Sequence, residues 1–420
     1  MIIHIDLDCF FVSAERTRDK SLCGRPVGIG GRGDQKIFSG ARSRQTPKLH
    51  TPYFPAGEPG ERDLETFIDP DGRIRGILTT ASYEARRYGI GTGTTIREAL
   101  QRCPNLIVKA PDMALYRKLS SELRAFLQER IPVIEQASID EFYGDLSGWV
   151  DDGEVPRFID FLRIEIKRRL DLPVSIGAAK TKSIAKLATS CAKPFGTKTV
   201  YPRELKTFLE PIPVAEFSGI GRATQRRLSA YRINTLGELL RSRTMVENWG
   251  PYARDLYRRV SGNEKTEIVP DSVRKSIGIS RTFDPVYDRA ELRRRVTILA
   301  RHLSFAVMRI GMLPTAFHVS IGYEDRQHAH ANITQNRLFS EQWFKELSLS
   351  LFEQADRHRR LKVIRLGISC SHFTANSRRE LSLLHFQEDS KMRALSEKSA
   401  HARDKYGLDI LRWGSELNCH

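Results

Sequence analysis

Hydrophobic positions at the start of the chain recur with period two. Ile3, Ile5 and Leu7 fall on one side, and Ile2, His4, Asp6 and Asp8 on the other. This predicts a strand with one apolar face and an opposite face that ends in two carboxylates. Such groups at the end of a central strand are costly unless a cation or a proton meets them. Val12 to Arg18 forms a short amphipathic segment, and Gly24 to Gly30 predicts a second small strand. From about Ser43 to Arg73 the pattern fails. Prolines, glycines and acids (Pro55 to Glu61, Asp69 to Gly72) mark a long loop or insertion. Regular patterning resumes at Gly76 to Thr80 and runs into Ala81 to Gly89.

A helix capped by Asp112 follows, with Tyr116, Leu119, Leu123, Phe126 and Leu127 on one face. Val133 to Ser138 and the stretch from Phe142 predict two strands, separated by Ile139, Asp140 and Glu141. A second helix carries Phe158, Phe161, Leu162, Ile166 and Leu170, and Leu172 to Gly177 supplies a last strand. Strand, helix, strand, strand, helix, strand is the split βαβ, ferredoxin-like pattern, with residues 12–110 inserted in its first crossover. In that sheet the first strand runs antiparallel to the third. Asp6 should therefore meet Asp140 and Glu141, far away in sequence, and the backbone must turn at 140–141 for both acids to face one ion.

From Ala179 a helix carries Lys186 and ends at Lys193-Pro194. Residues 201–262 read as helical, with Phe217 to Gly221 between two short helices. A second β-α-β-β-α-β order has strands near Ser276–Phe283, Phe317–Tyr323, His328–Ile333 and Leu361–Cys370. Its helices carry Leu292, Val296, Leu299 and Leu303, then Phe344, Leu347 and Leu351. The tail from Ser377 is polar, with a weakly amphipathic stretch around Met392 to Tyr406. The fold class expected is an α+β multidomain chain.

Composition narrows the partner. The 420 residues carry 68 Lys plus Arg against 51 Asp plus Glu, a net charge of +17. That favours a polyanion, nucleic acid before membrane, although a ribosomal or chromatin protein would share it. No apolar run is long enough to span a bilayer, and an acid-bearing strand at the N-terminus argues against a signal peptide. Six scattered cysteines without a C-x-x-C pair fit a reducing cytosol better than zinc or a disulfide framework.

The chemistry follows from the carboxylates. Asp6, Asp140 and Glu141 on one sheet edge suit Mg²⁺, a hard ion that leaves room for substrate phosphates. Two such ions can activate an attacking oxygen and stabilise a leaving one. Tyr83 and Arg86, three apart, share a helix face. With Thr80 and Lys193 they could clamp a polyphosphate. Ser218, Gly219 and Gly221 look like a helix-hairpin-helix, whose amides approach phosphates, or else a tight turn. Arg289, Arg293, Arg294, Arg295 and Arg301 share a helix that either faces solvent or follows a nucleic-acid backbone.

Several stretches then occur in a telling order: Ile3 to Phe11, Ala81 to Arg86, Ala137 to Glu141, Ser175 to Ala179, Ala192 to Pro194, the hairpin at 218–221, and Lys275 to Gly278. Over residues 1–375 this closely resembles the Y-family, translesion DNA polymerases of the DNA polymerase IV (UmuC-like) type. The resemblance implies a palm (1–14 and 111–200), fingers (15–110, with the insertion at about 43–73) and a helix-hairpin-helix thumb (201–262). It further implies a linker (263–273), a little finger (274–375) and a C-terminal tail (376–420).

It implies a DNA-directed DNA polymerase that performs low-fidelity translesion synthesis. Asp6, Asp140, Glu141 and the Leu7 carbonyl would hold two Mg²⁺. Asp8, a ligand on the residue reading alone, becomes secondary. Phe11 falls at the steric-gate position beside Phe10, and Thr80, Tyr83, Arg86 and Lys193 at the nucleotide. Partners implied are primer-template DNA and dNTPs, for a monomer in the cytoplasm near the nucleoid. The 43–73 insertion is outside the usual pattern. Glu380 to Phe386 is similar to a sliding-clamp-binding peptide, but with glutamate where glutamine is expected. Two other classes stay open on the residues: a catalytically silent DNA-binding scaffold, and a metal-dependent nuclease. The nuclease leaves Phe11 and the phosphate clamp without a role.

Overall fold

A computed structural model of the chain describes residues 1–32, 35–38, 64–69, 71–265, 267–270, 274–374 and 385–417. It divides into two compact units: Met1–Gly30 with Glu61–Ser272, and Gly31–Gly60 with Val273–His420.

The first unit opens with β1 (Ile2–Leu7) and α1 (Phe10–Arg18). Next come β2 (Val27–Gly31), β3 (Ile77–Ala81), the single turn α2 (Tyr83–Arg86), α3 (Ile96–Arg102) and β4 (Ile107–Lys109). The three strands form a small sheet ordered β3-β2-β4. Its core includes Phe67, Leu78, Ile90 and Ile96. Phe67 lies in the second half of the expected insertion yet is 3% exposed, and its ring lies where a Cβ on Gly30 would be. Residues 64–69 and 71–73 thus belong to this small domain rather than to a loop. The expected insertion over 43–63 lies outside the described residues.

The larger sheet follows the sequence pattern closely. It uses α4 (Met113–Gln128), β5 (Val133–Gln136), β6 (Glu141–Asp145), α5 (Val155–Leu170), β7 (Val174–Ala179), α6 (Lys182–Ala192) and β8 (Thr197–Val200). The order is β5-β6-β1-β7-β8, and β1 is antiparallel to both β6 and β7. Without β8 this is the ferredoxin-like arrangement. β8, parallel to β7, is a fifth strand that Thr197 to Val200 is too short and too polar to announce. Asp112 caps α4 by accepting from the amides of Ala114 and Leu115, and Tyr116, Leu119, Leu123, Phe126 and Leu127 are all buried. On α5 the buried stripe is Val155, Ile159, Leu162 and Ile166, so Phe161, expected inside, is 52% exposed. Its spacing puts it off the i, i+3, i+7 stripe.

Period two holds along β1. Ile3, Ile5 and Leu7 pack with α4 and α5, whereas Ile2 and His4 face α6. Helix α6 comes unusually near the sheet because residue 177 is glycine. A Cβ there would lie 2.2 Å from the Ala185 carbonyl oxygen. The close approach lets His4 Nδ1 and Thr189 Oγ1 hydrogen-bond at 2.9 Å inside the core. Beyond β8 the chain forms α7 (Leu205–Leu209), α8 (Arg222–Ala230), α9 (Leu236–Arg241), α10 (Arg243–Glu247) and α11 (Pro251–Val260).

The second unit contains β9 (Ser276–Val286), α12 (Arg289–Ile310), β10 (Leu313–Tyr323), β11 (His328–Thr334), α13 (Glu341–Ala355) and β12 (Val363–Thr374). The element order repeats β-α-β-β-α-β, but the strand order β11-β10-β12-β9 is not the ferredoxin-like one. Two additions depart from the expected domain. Ile37 and Phe38, from the far side of the chain, join its core. The C-terminal segment forms α14 (Phe386–Tyr406), which packs on α12 and α13 instead of trailing as a tail. Buried ion pairs hold it: Arg301 with Glu416 at 2.8 Å and with Asp409 at 2.9 Å, and Arg403 with Glu341. Of the stretch expected at a sliding clamp, 380–384 lie outside the described residues, and Phe386 starts α14.

Candidate active site

The end of β1 is where the acids meet. Register pairs Asp6 with Glu141, and the Leu7 amide donates to the Asp140 carbonyl at 3.0 Å. Between β5 and β6 the backbone turns as the sequence requires. Ser138 Oγ accepts from the amides of Asp140 and Glu141 and donates to the Asp140 carboxylate at 2.5 Å. One serine thus holds the bend at which the two adjacent acids stand: it engages the Asp140 carboxylate, while the Glu141 carboxylate accepts from Lys186. Ligand atoms of Asp6, Glu141 and His4 lie within 4.8 Å of one another.

Lysines answer this charge. Lys193, just past α6, donates to Asp6 at 2.6 Å, and Lys186 on α6 donates to Glu141. Burial pushes the Asp6 carboxyl up to about 6; Lys193 opposes that rise, while Asp140 and Glu141 add to it. A carboxylate held so high wants a nearby cation. The grouped oxygens of Asp6 and Glu141, with Asp140 near enough for its charge to act on Asp6, are donors that suit a hard divalent metal. His4, buried and in the same group as Asp6 and Glu141, leaves its Nε2 without a hydrogen-bond partner.

Just past Asp8 in the chain, α1 carries two aromatic residues with different environments. Phe11 is half-buried and stacks on Tyr116 at 4.4 Å and 10° between planes. Phe10, also expected at the nucleotide, is only 2% exposed, because its position on α1 faces the core of the larger sheet. Thr80 is half-buried near the end of β3. Ser82 caps α2 by accepting from the Ala85 amide. This short turn presents Tyr83 and Arg86 together, the guanidinium 4.8 Å from the ring centre.

Asp8 does not join the acid cluster. It is 1% exposed, and its carboxylate accepts from Ser175, Tyr83 and the Phe195 amide. Strict alternation would have set it beside Asp6, but β1 ends at Leu7 and Asp8 lies in the turn beyond.

The chain matches the impB/mucB/samB family over residues 5–190 and that family's C-terminal domain over 274–383. It belongs to this family. A DNA polymerase IV from Bacillus anthracis is 28% identical over 423 residues, covering 99% of this chain and 93% of its own. One from Clostridium kluyveri is 27% identical and covers 99% and 98%. A solved Y-family DNA polymerase chimera aligns with a TM-score of 0.71 at 22% identity, over 89% of this chain and 99% of its own. DinB from Sulfolobus solfataricus aligns at 0.54 and 21% identity over the same shares. The fold is that of the Y-family polymerases: palm, inserted fingers, helical thumb and little finger.

In this family's fold the remaining candidates sit as follows. Ser218, Gly219 and Gly221 are exposed on the turn before α8, with Gly219 at φ 101°, a conformation that favours glycine. Arg259 donates to the Ser218 carbonyl at 2.8 Å and steadies that turn. The arginines of α12, expected at DNA, also make contacts inside the second unit. Arg295 pairs with Glu291 and lies over Phe38 and Phe283, and Arg293 pairs with Glu353. Arg294 and Arg301 hold Phe38, Glu416 and Asp409. These contacts lie within the second unit, where α12 runs between the sheet and the C-terminal segment. Lys186, Ser138 and Tyr116 escaped the sequence reading as site residues. A signal for Lys186 existed: Lys182 and Lys186 stand four apart on an otherwise uncharged helix.

Proposed function

We propose that this chain is a template-directed DNA polymerase that adds deoxynucleotides to a primer 3′-OH, in the low-fidelity, lesion-tolerant manner of translesion synthesis. One observation carries the reading. Asp6 and Glu141 are paired at the end of β1, Lys193 donates to Asp6, and Asp140 stands next to Glu141 in the β5–β6 turn, in a chain whose near full-length relatives are named DNA polymerase IV.

Asp6, Asp140 and Glu141, with the Leu7 carbonyl, would hold two Mg²⁺. When bound, these ions lower the cost of the attacking primer oxygen and of charge on the departing pyrophosphate. The protein's own residues do the rest. Lys193 and Arg86 place positive charge where the triphosphate becomes more negative, in a fixed geometry that needs no rearrangement at the moment of reaction. Phe11, backed by Tyr116, sits beneath the sugar, where a 2′-OH would collide with the ring. Ser138 keeps the two acids of the β5–β6 turn aimed at the ions. The thumb turn at 218–221 and the charge of +17 supply sequence-independent grip on primer-template phosphates. Binding to a sliding clamp through 380–386, a monomeric state and a cytoplasmic place beside the nucleoid belong to the same proposal. Among the described residues no helix is long and apolar enough to cross a membrane.

Primer extension with Mg²⁺ and dNTPs is the test. The wild-type chain lengthens the primer. Asp6→Ala, Asp140→Ala and Glu141→Ala each lower extension by roughly 10³-fold or more, with primer-template Kd within about twofold. Shortening of the primer would mean a nuclease. No change with the wild type would mean a silent DNA-binding scaffold.

A further inference from the structure

Asp8 is the second carboxylate of the N-terminal motif, and the reading above leaves it without a task. Its surroundings give it one. Ser175 Oγ, on β7, donates to both of its oxygens at 3.0 and 2.9 Å. Tyr83 Oη, on α2, donates to Oδ1 at 3.1 Å, and the Phe195 amide donates to Oδ2 at 2.8 Å. The backbone is fixed as well: the Asp8 amide donates to the Pro173 carbonyl at 2.9 Å, and Ser13 Oγ donates to the Asp8 carbonyl at 2.6 Å.

The three donors come from different parts of the first unit. Ser175 belongs to the rigid sheet. Tyr83 belongs to the small inserted domain, and Phe195 stands two residues past Lys193. Tyr83 and Lys193 are the groups placed at the triphosphate above. A buried carboxylate whose oxygens already accept several hydrogen bonds is poorly disposed to bind a metal, but it is a strong fixed anchor for donors.

We propose that Asp8 is a positioning residue for the nucleotide: it ties the Tyr83 hydroxyl and the Lys193–Phe195 turn to β7, so that both halves of the phosphate-binding face are held in one frame. This rests on the polymerase reading. The Tyr83 hydroxyl has a single proton, and in this structure it goes to Asp8. An incoming triphosphate takes over that proton by exchanging one anionic acceptor for another, while the Phe195 amide stays on Asp8 and keeps Lys193 in place.

The test is single-nucleotide incorporation at saturating primer-template, with KM for the dNTP separated from kcat. Asp8→Ala should raise KM about tenfold and lower kcat less than threefold, with the Kd for primer-template unchanged. Asp8→Asn keeps an acceptor for the Phe195 amide and should recover most of the loss. Combined with Tyr83→Phe, Asp8→Ala should cost less than the product of the two single effects, because the two residues share one hydrogen bond. If Asp8→Ala fails to fold, Ser175→Ala, which frees the carboxylate to turn, should raise KM about threefold. The inference is overturned by a fall in kcat at constant KM, by an unchanged KM in either variant, or by full multiplicativity with Tyr83→Phe. Those results would leave wild-type extension intact. Absence of wild-type extension would instead sink the polymerase reading itself.

Discussion

Phe11 lies flat on Tyr116, and the phenol beneath it is itself anchored, donating to Glu15 at 2.7 Å. Burial and the Glu15 charge push the Tyr116 hydroxyl above its ordinary range, so it stays a donor and the platform stays put. A ring held this firmly can act by steric exclusion, because it has no room to yield. Phe11→Ala should therefore raise the rNTP/dNTP ratio of kcat/KM by roughly 10- to 100-fold. Since Phe11 is only half-buried, the melting temperature should fall by just a few degrees. A large loss of stability with unchanged sugar choice would make Phe11 a packing residue and nothing more. Phe10, next along α1, is the contrast: buried at 2%, it should show that second pattern.

At the scale of elements, legibility followed periodicity. The strand β1, the Asp112-capped α4 and the order of the larger sheet could be read because one face of each is apolar and the other is not. The pairing of Asp6 with Glu141 was legible for the same reason, since topology and register alone bring them together. What could not be read was held by polar contacts. β8 is short and mostly polar, and α14 shows almost no apolar face because Arg403, Asp389 and Ser396 are its buried residues. A helix docked through ion pairs looks in sequence like a solvated one. The role of Asp8 escaped because alternation fails where a strand ends.

The arginines of α12 give a consequence that pH can test. Burial pushes the Glu291 carboxyl up, but hydrogen bonds from Arg294 and Arg295 outweigh it and hold it below its ordinary value of 4.5. A carboxyl depressed on folding contributes stability above its unfolded pKa, and that contribution is lost as pH falls through the folded one. The second unit should thus lose stability below about pH 4.5 in proportion to this shift. Glu291→Gln should lower its melting temperature at pH 7 and flatten the acid limb of the melting curve. An acid limb of unchanged slope in the variant would mean the two arginines do little for Glu291.

For the whole molecule the unexpected feature is the path of the chain. It leaves the first unit at Gly31, contributes Phe38 to the second, and returns to the first at Glu61. Phe38 is 7% exposed. Its ring meets Phe283 edge-on at 5.7 Å with Arg295 over both, and Arg294 donates to its carbonyl at 2.9 Å. The segment that follows β2, ahead of the expected insertion, thus builds part of another unit's core. Because the chain crosses three times rather than once, the second unit's stability depends on residues between two strands of the fingers. Phe38→Ala should cost that unit about 2–4 kcal/mol, less than a fully enclosed Phe→Ala because the arginine can follow the void. Calorimetry should then show a lower melting transition for the second unit and an unchanged one for the first. The matching control must spare both Phe38 and Phe67, since each is a core residue, so it replaces only residues 39–60 with a Gly-Ser linker. That variant should melt like the wild type. If it also extends undamaged and abasic templates in the wild-type proportion, the stretch 39–60 has no part in the choice of template base. If the proportion changes, the stretch 39–60 itself influences which template bases are accepted.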